Sequence, residues 1–272
     1  MNWTGRLEIE AVKKQKKTVL SSCYQEGAFK VSRPIYLDEG MPLIYFIHVG
    51  GGYVDGDNYY TALKLGEGAR MTATTQASAK VYKTPVQPVA QKTVFHLKSG
   101  SVFEYLPDPL IAYEGARFVQ ETEVRMEPGA SLFYRDMITP GWERNGRFFT
   151  YDWIRSKLKV WMDGALILFD HLNLEPDRGI GDILQMDGFT HLGTFAVVHP
   201  LAGRKFLEAL YEKLEKAGAG LKFGLSCLPP GYGVMLRVMG YNTGLVERFM
   251  KTAHSFARAE LLHKDKLFLR KY

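Results

Sequence analysis

The chain has 272 residues, 46% hydrophobic and 24% charged, with a net charge of +6, the balance of an ordinary globular protein. Two distant cysteines, Cys23 and Cys227, exclude a disulfide framework and a cysteine-zinc cluster. No apolar run reaches the roughly 20 residues of a membrane span, and the N-terminus lacks a signal-peptide pattern. The expectation is a cytoplasmic protein with no membrane partner. Lysines at 13, 14, 16 and 17 and the basic tail read as solvated runs, without the motifs of a nucleic-acid binder. Charge of this sign suits an acidic protein partner.

The first strong element is an apolar strand, Leu43-Ile44-Tyr45-Phe46-Ile47. It runs into a glycine-dense segment, His48-Val49-Gly50-Gly51-Gly52-Tyr53-Val54-Asp55-Gly56-Asp57. Such density points to positive φ or a close backbone approach. No Gly-Lys-Ser/Thr follows, which excludes a P-loop. Residues 58–65 alternate like a strand and do not open the helix of a dinucleotide fold.

A frame then recurs at intervals of roughly 30 residues, with Gly68, Gly100, Gly129 and, less regularly, Gly164 each preceding a strand. Apolar pairs alternate after each glycine: Met71 and Ala73, Phe103 and Tyr105, Leu132 and Tyr134, Ile167 and Phe169. Hairpins at this spacing cannot bury their own faces, so the expected fold is mainly β, in stacked, β-helix-like layers of antiparallel or mixed strands. A closed barrel is the competing architecture.

Residues 1–200 make up this β-stack domain. Residues 201–272 read as a helix-strand-strand-helix α/β subdomain packed on it. Its first helix places Phe206, Leu207, Leu210, Leu214 and Ala217 on one face, and its second aligns Leu245, Phe249, Ala253 and Phe256. Strands are expected at 221–228 and 234–239.

Three blocks in order carry a resemblance. His48, Gly51, Gly52, Gly56 and Asp57 fall on a His-x-x-Gly-Gly-x-x-x-Gly-Asp turn. Thr74, Thr75, Lys80 and Tyr82 fall on a Thr-Thr-x-x-x-x-Lys-x-Tyr strand, and Glu104, Leu106, Pro107 and Ile111 on a Glu-x-Leu-Pro-x-x-x-Ile segment. Together they resemble the urease accessory family UreD, also called UreH. Val49-Gly50, Asp55 and Ala79 depart from that family's usual residues, which makes the turn looser and more acidic.

The resemblance implies a β-helix-like fold and no enzymatic turnover. It implies a maturation chaperone that binds apo-urease and scaffolds a UreF-type protein and a UreG-type GTPase. It also implies assistance in nickel delivery to the urease active site. No cofactor is expected to bind tightly, and Ni²⁺ is expected only in transit, at few and incomplete sites. Asp57, Glu104, Asp136 and Glu143 are the candidates for lining such a route. The alternative is that Asp57 caps its turn and Glu104 pairs with Lys80 or Arg117. His48 either fixes the glycine turn or contacts nickel.

The glycine turn and the Lys80–Tyr82 strand are a candidate contact surface, with Tyr53, Tyr59 and Tyr60 either rimming it or packing inward. A competing function comes from the acids on turns, which could act in pairs in a carbohydrate-active β-solenoid enzyme. Neither His-Glu-x-x-His nor Gly-x-Ser-x-Gly occurs to support other hydrolytic chemistry.

Overall fold

The recurring glycine frame turns the corners of a β-solenoid. The structure, a computed structural model, describes residues 2–142, 145–182, 185–229 and 231–269. Five strands come first: β1 (Gly5–Lys14), β2 (Lys17–Gly27), β3 (Phe29–Val31), β4 (Ile35–Asp38) and β5 (Met41–His48). The rungs follow as β6 (Asn58–Leu65), β7 (Arg70–Thr75) and β8 (Lys80–Val81), then β9 (Val89–Leu97), β10 (Val102–Tyr105) and β11 (Ile111–Ala112), then β12 (Arg117–Met126) and β13 (Ser131–Ile138). After these come β14 (Trp153–Met162), β15 (Ala165–Leu174), β16 (His191–Val198), α1 (Arg204–Glu215), β17 (Lys222–Leu228), β18 (Gly233–Gly240) and α2 (Thr243–Ala257).

The first two rungs each give one strand to each of three sheets, and the third gives β12 and β13 to the two large ones. β6, β9, β12 and β14 run parallel in a seven-stranded sheet ordered β15-β14-β12-β9-β6-β1-β2. β5, β7, β10 and β13 run parallel in a nine-stranded sheet ordered β17-β18-β16-β13-β10-β7-β5-β3, with β4 also on β5. β8 and β11 form the narrow third face. The turns at Gly68, Gly100 and Gly129 are therefore arcs from sheet to sheet and not the expected hairpins.

Of the four frame glycines, Gly164 alone sits in a hairpin. Asp163 (φ 49) and Gly164 (φ 79) form the two-residue loop between antiparallel β14 and β15, both left-handed as a type I′ loop requires. A bulge between Val160 and Trp161 shifts the pairing there. Phe169 is consequently exposed, contrary to the alternation expected at that position, while Leu168 is buried. Both large sheets keep edges, which excludes the barrel.

The seven- and nine-stranded sheets face each other over one core, in which Leu63, Phe95, Val124 and Val160 align rung upon rung. The opposite face of the nine-stranded sheet carries Phe133, Met137, Phe195 and Leu236 and is covered by the two helices. α1 contributes Phe206, Leu210 and Leu214, the face its periodicity predicts. α2 buries Val246, Phe249, Met250 and Ala253, so its inner stripe is rotated away from Leu245 and Phe256. Asn242 caps α2 by accepting a hydrogen bond from the Leu245 amide at 3.2 Å. β16, β18 and β17 extend the nine-stranded sheet beyond β13. No helix among the described residues is long and apolar enough to cross a membrane.

Candidate functional site

The solenoid register stitches the three sequence blocks together. Gly52, at φ +146, lies against β8, where the Tyr53 amide donates to the Lys80 carbonyl at 2.7 Å. The Tyr82 hydroxyl donates to the Gly51 carbonyl at 2.9 Å. Thr74 Oγ1 donates to the Leu106 carbonyl at 2.6 Å, and Thr75 Oγ1 accepts from the Asp108 amide at 2.8 Å. A Cβ on Gly52 would lie 2.7 Å from the Lys80 carbonyl oxygen and 2.8 Å from the Tyr82 ring. Gly52→Ala is therefore expected to cost roughly 2–4 kcal/mol from strain and overlap, measured by urea denaturation. A loss below about 0.5 kcal/mol, the range of a neutral surface change, would contradict this packing.

A polar lane crosses the otherwise apolar interior at fixed positions of successive rungs. Tyr59, Gln91, Gln120 and Ser156 pair side by side in the seven-stranded sheet, and Thr61, Thr93 and Thr122 run alongside them. The facing sheet sets Tyr105 beside Tyr134, and then Asp136 opposite Thr194 and Thr194 opposite Arg237. Hydrogen bonds link several of these groups, as buried polar groups require. Gln120 Nε2 donates to Asp136 Oδ2 at 2.6 Å and to Ser156 Oγ at 2.8 Å. Arg237 donates to Asp170 at 2.7 Å, and the Tyr53 hydroxyl to Gln91 at 3.1 Å.

At the glycine-turn end, the Tyr59 hydroxyl donates to Asp57 Oδ2 at 2.8 Å. Its one proton is thereby used, so His48 Nε2, 3.0 Å away, donates to it. Tyr53 stacks on Tyr59 with ring centroids 4.2 Å apart. Both tyrosines are buried, at 6% and 1% exposure, so the inward reading of these aromatics holds and the exposed rim does not. Tyr60 is half-buried against Trp3. A cavity of about 140 Å³ opens here, bounded by His48, Tyr53, Thr61, Lys80, Gln91 and Tyr105.

Burial dominates the electrostatics. It lowers the His48 imidazole, with the Asp57 charge opposing, which favours the neutral ring at pH 7. It pushes the Asp136 carboxyl up to about 6 against the hydrogen bonds from Gln120 and the Met137 amide; Asp170 adds to the rise and Arg237 opposes it. A raised folded value means that ionised Asp136 destabilises the fold increasingly as pH climbs from 3.8 through about 6. Asp136→Asn is thus expected to raise Tm relative to the parent at pH 8, with the gain gone by pH 4. A Tm lower than the parent's at pH 8 would contradict it.

Three of the sequence candidates lie on this lane: His48 and Asp57 at one end, Asp136 towards the other. Asp57 also caps its own turn, accepting from the Val54 amide at 2.8 Å. Glu104 lies elsewhere. Phe103 and Tyr105 point into the solenoid, so Glu104 between them points out towards the helices. It pairs with neither Lys80 nor Arg117. Its carboxylate, fully buried, accepts from Arg258 Nη1 and from His254 Nε2, the latter at 2.5 Å. Arg117 donates to the Thr84 carbonyl instead. Glu143 lies outside the described residues.

Pro107 offers its carbonyl to Arg135 at 3.2 Å. Among the described residues, no three His, Cys, Asp or Glu side chains cluster as a metal site. Residues that motif matching did not single out are Gln91, Gln120, Ser156, Asp170 and Arg237. The signal for two of them was a polar residue at an inward position, as at Gln120 between Phe118 and Val124.

Fold and lane together define a β-solenoid whose distinctive chemistry, oxygen donors and one imidazole, lies inside it. The chain belongs to the UreD urease accessory protein family, whose model matches residues 4–271. It is 54% identical to urease accessory protein UreD of Bacillus sp. (strain TB-90), across the whole of both chains. It is 39% identical to urease accessory protein UreD of Lachnoclostridium phytofermentans, over all of this chain and 99% of that one. The Staphylococcus saprophyticus protein of the same name is 34% identical over 99% of this chain and 98% of its own. The chain is an accessory protein and not an enzyme. Family membership removes the carbohydrate-active alternative.

Proposed function

We propose that this protein binds apo-urease in the cytoplasm and passes nickel ions towards the urease active site along its internal polar lane. The observation that carries this reading is the lane itself. Carboxylates at Asp57, Asp136 and Asp170, the His48 imidazole and the intervening amides and hydroxyls succeed one another from rung to rung. Nickel(II) accepts imidazole and oxygen ligands, and a complete donor set would trap it. Asp57 and Asp136, single acids separated by neutral oxygens, offer stepping points without a resting site, while Asp170 is paired with Arg237. Nickel is cargo here, held in transit and not as a resident cofactor.

The sequence carries no P-loop, so in this reading GTP hydrolysis belongs to a UreG-type GTPase held through a UreF-type partner. The narrow third face supports a role in that assembly. On it Tyr82 packs on Tyr113 at 4.8 Å, and Tyr113 on the exposed Trp142 at 5.4 Å, an aromatic ladder suited to protein contact. Nucleic acid has no part in this function.

The test is urease made in cells with the structural and remaining accessory genes, with and without this chain. Without it, urease is expected to assemble but to stay nickel-poor and inactive. Full metallation without it would refute the proposed role.

A further inference from the structure

A groove of about 940 Å³ lies away from the lane, on the helix-covered side of the nine-stranded sheet. α2 forms one side and residues 106–111 the other. On its floor is Arg135 of β13, only 4% exposed. The hydrogen bonds of Arg135 all leave from Nη2, to the Leu106 and Pro107 carbonyls at 3.3 and 3.2 Å. Nε and Nη1 donate to nothing among the described residues, so a buried cation turns unused donors towards the groove. Asp108 and Glu247 are the carboxylates that face it. Lys213, Lys251 and Lys266 add three cations, giving four basic groups against these two acids. His254 is committed to Glu104.

The rest of the lining is apolar. Leu106, Ile111 and Phe256 form the walls, and Phe268 stands on the lip at 68% exposure. Residues 266–269, with neither helix nor strand, already lie along one wall, so the groove seats extended chain. Its volume is at the upper end of the range for small-molecule sites, far more than a single phosphate or carboxylate fills. A second copy of this chain, at net charge +6, is a poor electrostatic match.

We propose that this groove docks an extended, acidic segment of a partner protein, with one carboxylate on Arg135 and leucine-like side chains against Phe256 and Phe268. Guanidinium is suited to this role because its planar donors match a carboxylate in pairs. The lysines on the rim steer the segment and make the contact salt-sensitive. This interaction is separate from nickel passage and does not rest on it.

The experiment is fluorescence anisotropy of the full chain with two labelled octapeptides, one alternating leucine and glutamate, the other leucine and lysine. The acidic peptide is expected to bind saturably, with affinity falling as salt rises. Arg135→Met, close to the parent in volume, is expected to weaken it tenfold or more. The surface double variant Lys213→Glu, Lys251→Glu, which leaves the core untouched, is expected to do the same and decides the matter should Arg135→Met misfold. Equal binding of the lysine peptide would overturn the proposal. So would absence of saturable binding up to millimolar peptide, or self-association of the chain that the same variants relieve.

Discussion

Glu104→Gln is expected to destabilise the protein by about 3–5 kcal/mol, because it removes a hydrogen-bonded counter-charge from a fully buried guanidinium. Arg258 is 0% exposed and lies just after α2, with His254 one turn earlier. Glu104, in the middle of the nine-stranded sheet, ties both to the solenoid. Arg258 Nε in turn donates to the Asp265 carbonyl at 2.9 Å, so the same carboxylate anchors the segment after α2.

Burial alone would raise the Glu104 carboxyl. The hydrogen bond and charge of His254, with the charge of Arg258, outweigh it and leave the carboxyl below its ordinary value. A lowered folded value gives stability that is present above pH 4.5 and is lost as pH falls through that folded value. The glutamine variant should therefore differ from the parent most at neutral pH and least in acid. Adding Arg258→Met is expected to recover part of the loss, since it removes the buried charge that Glu104 offsets. Chemical denaturation at pH 7 checks the magnitude, and amide exchange in α2 checks the location. A loss under 1 kcal/mol would mean that water reaches the pair.

The second large effect concerns nickel. With Asp57→Asn and Asp136→Asn combined, urease activation at limiting nickel is expected to fall about tenfold or more, the scale on which groups around a metal tune its binding. The charges are lost while the hydrogen-bonding shapes survive. At position 57 the substituted amide keeps an oxygen for the Tyr59 hydroxyl and the Val54 amide. At position 136 the Gln120 amide turns over and Ser156 becomes the donor. Excess nickel should restore activity, because a weakened path is refilled by mass action. Glu104→Gln separates the two causes: its defect should follow temperature and not nickel concentration.

Strand content and the rung spacing were legible in the alternation of Met71 and Ala73, Phe103 and Tyr105, Leu132 and Tyr134. Whether each glycine turned a hairpin or an arc was not, because the two share the same local pattern and differ only in which distant strand is paired. Gly164 did carry its own signal, since Asp-Gly between alternating strands is a type I′ hairpin loop. The lane was partly legible. Asp57 and His48 lie in the distinctive glycine turn, whereas Gln91, Gln120 and Ser156 match no motif and gain meaning only when register stacks them. The partnership of Glu104 was hidden because His254 stands 150 positions further on. Its own neighbours, Phe103 and Tyr105, already implied that it faces away from the solenoid interior.

Metal content tests nickel passage through the lane more directly than activity does. Urease would be purified from cells supplied with limiting nickel and carrying either the parent chain or the Asp57→Asn, Asp136→Asn variant at matched folded levels. Nickel per urease active site would then be determined. Urease is expected to be assembled but largely empty with the variant and filled with the parent. Equal nickel occupancy with both chains would show that the ion travels by another route.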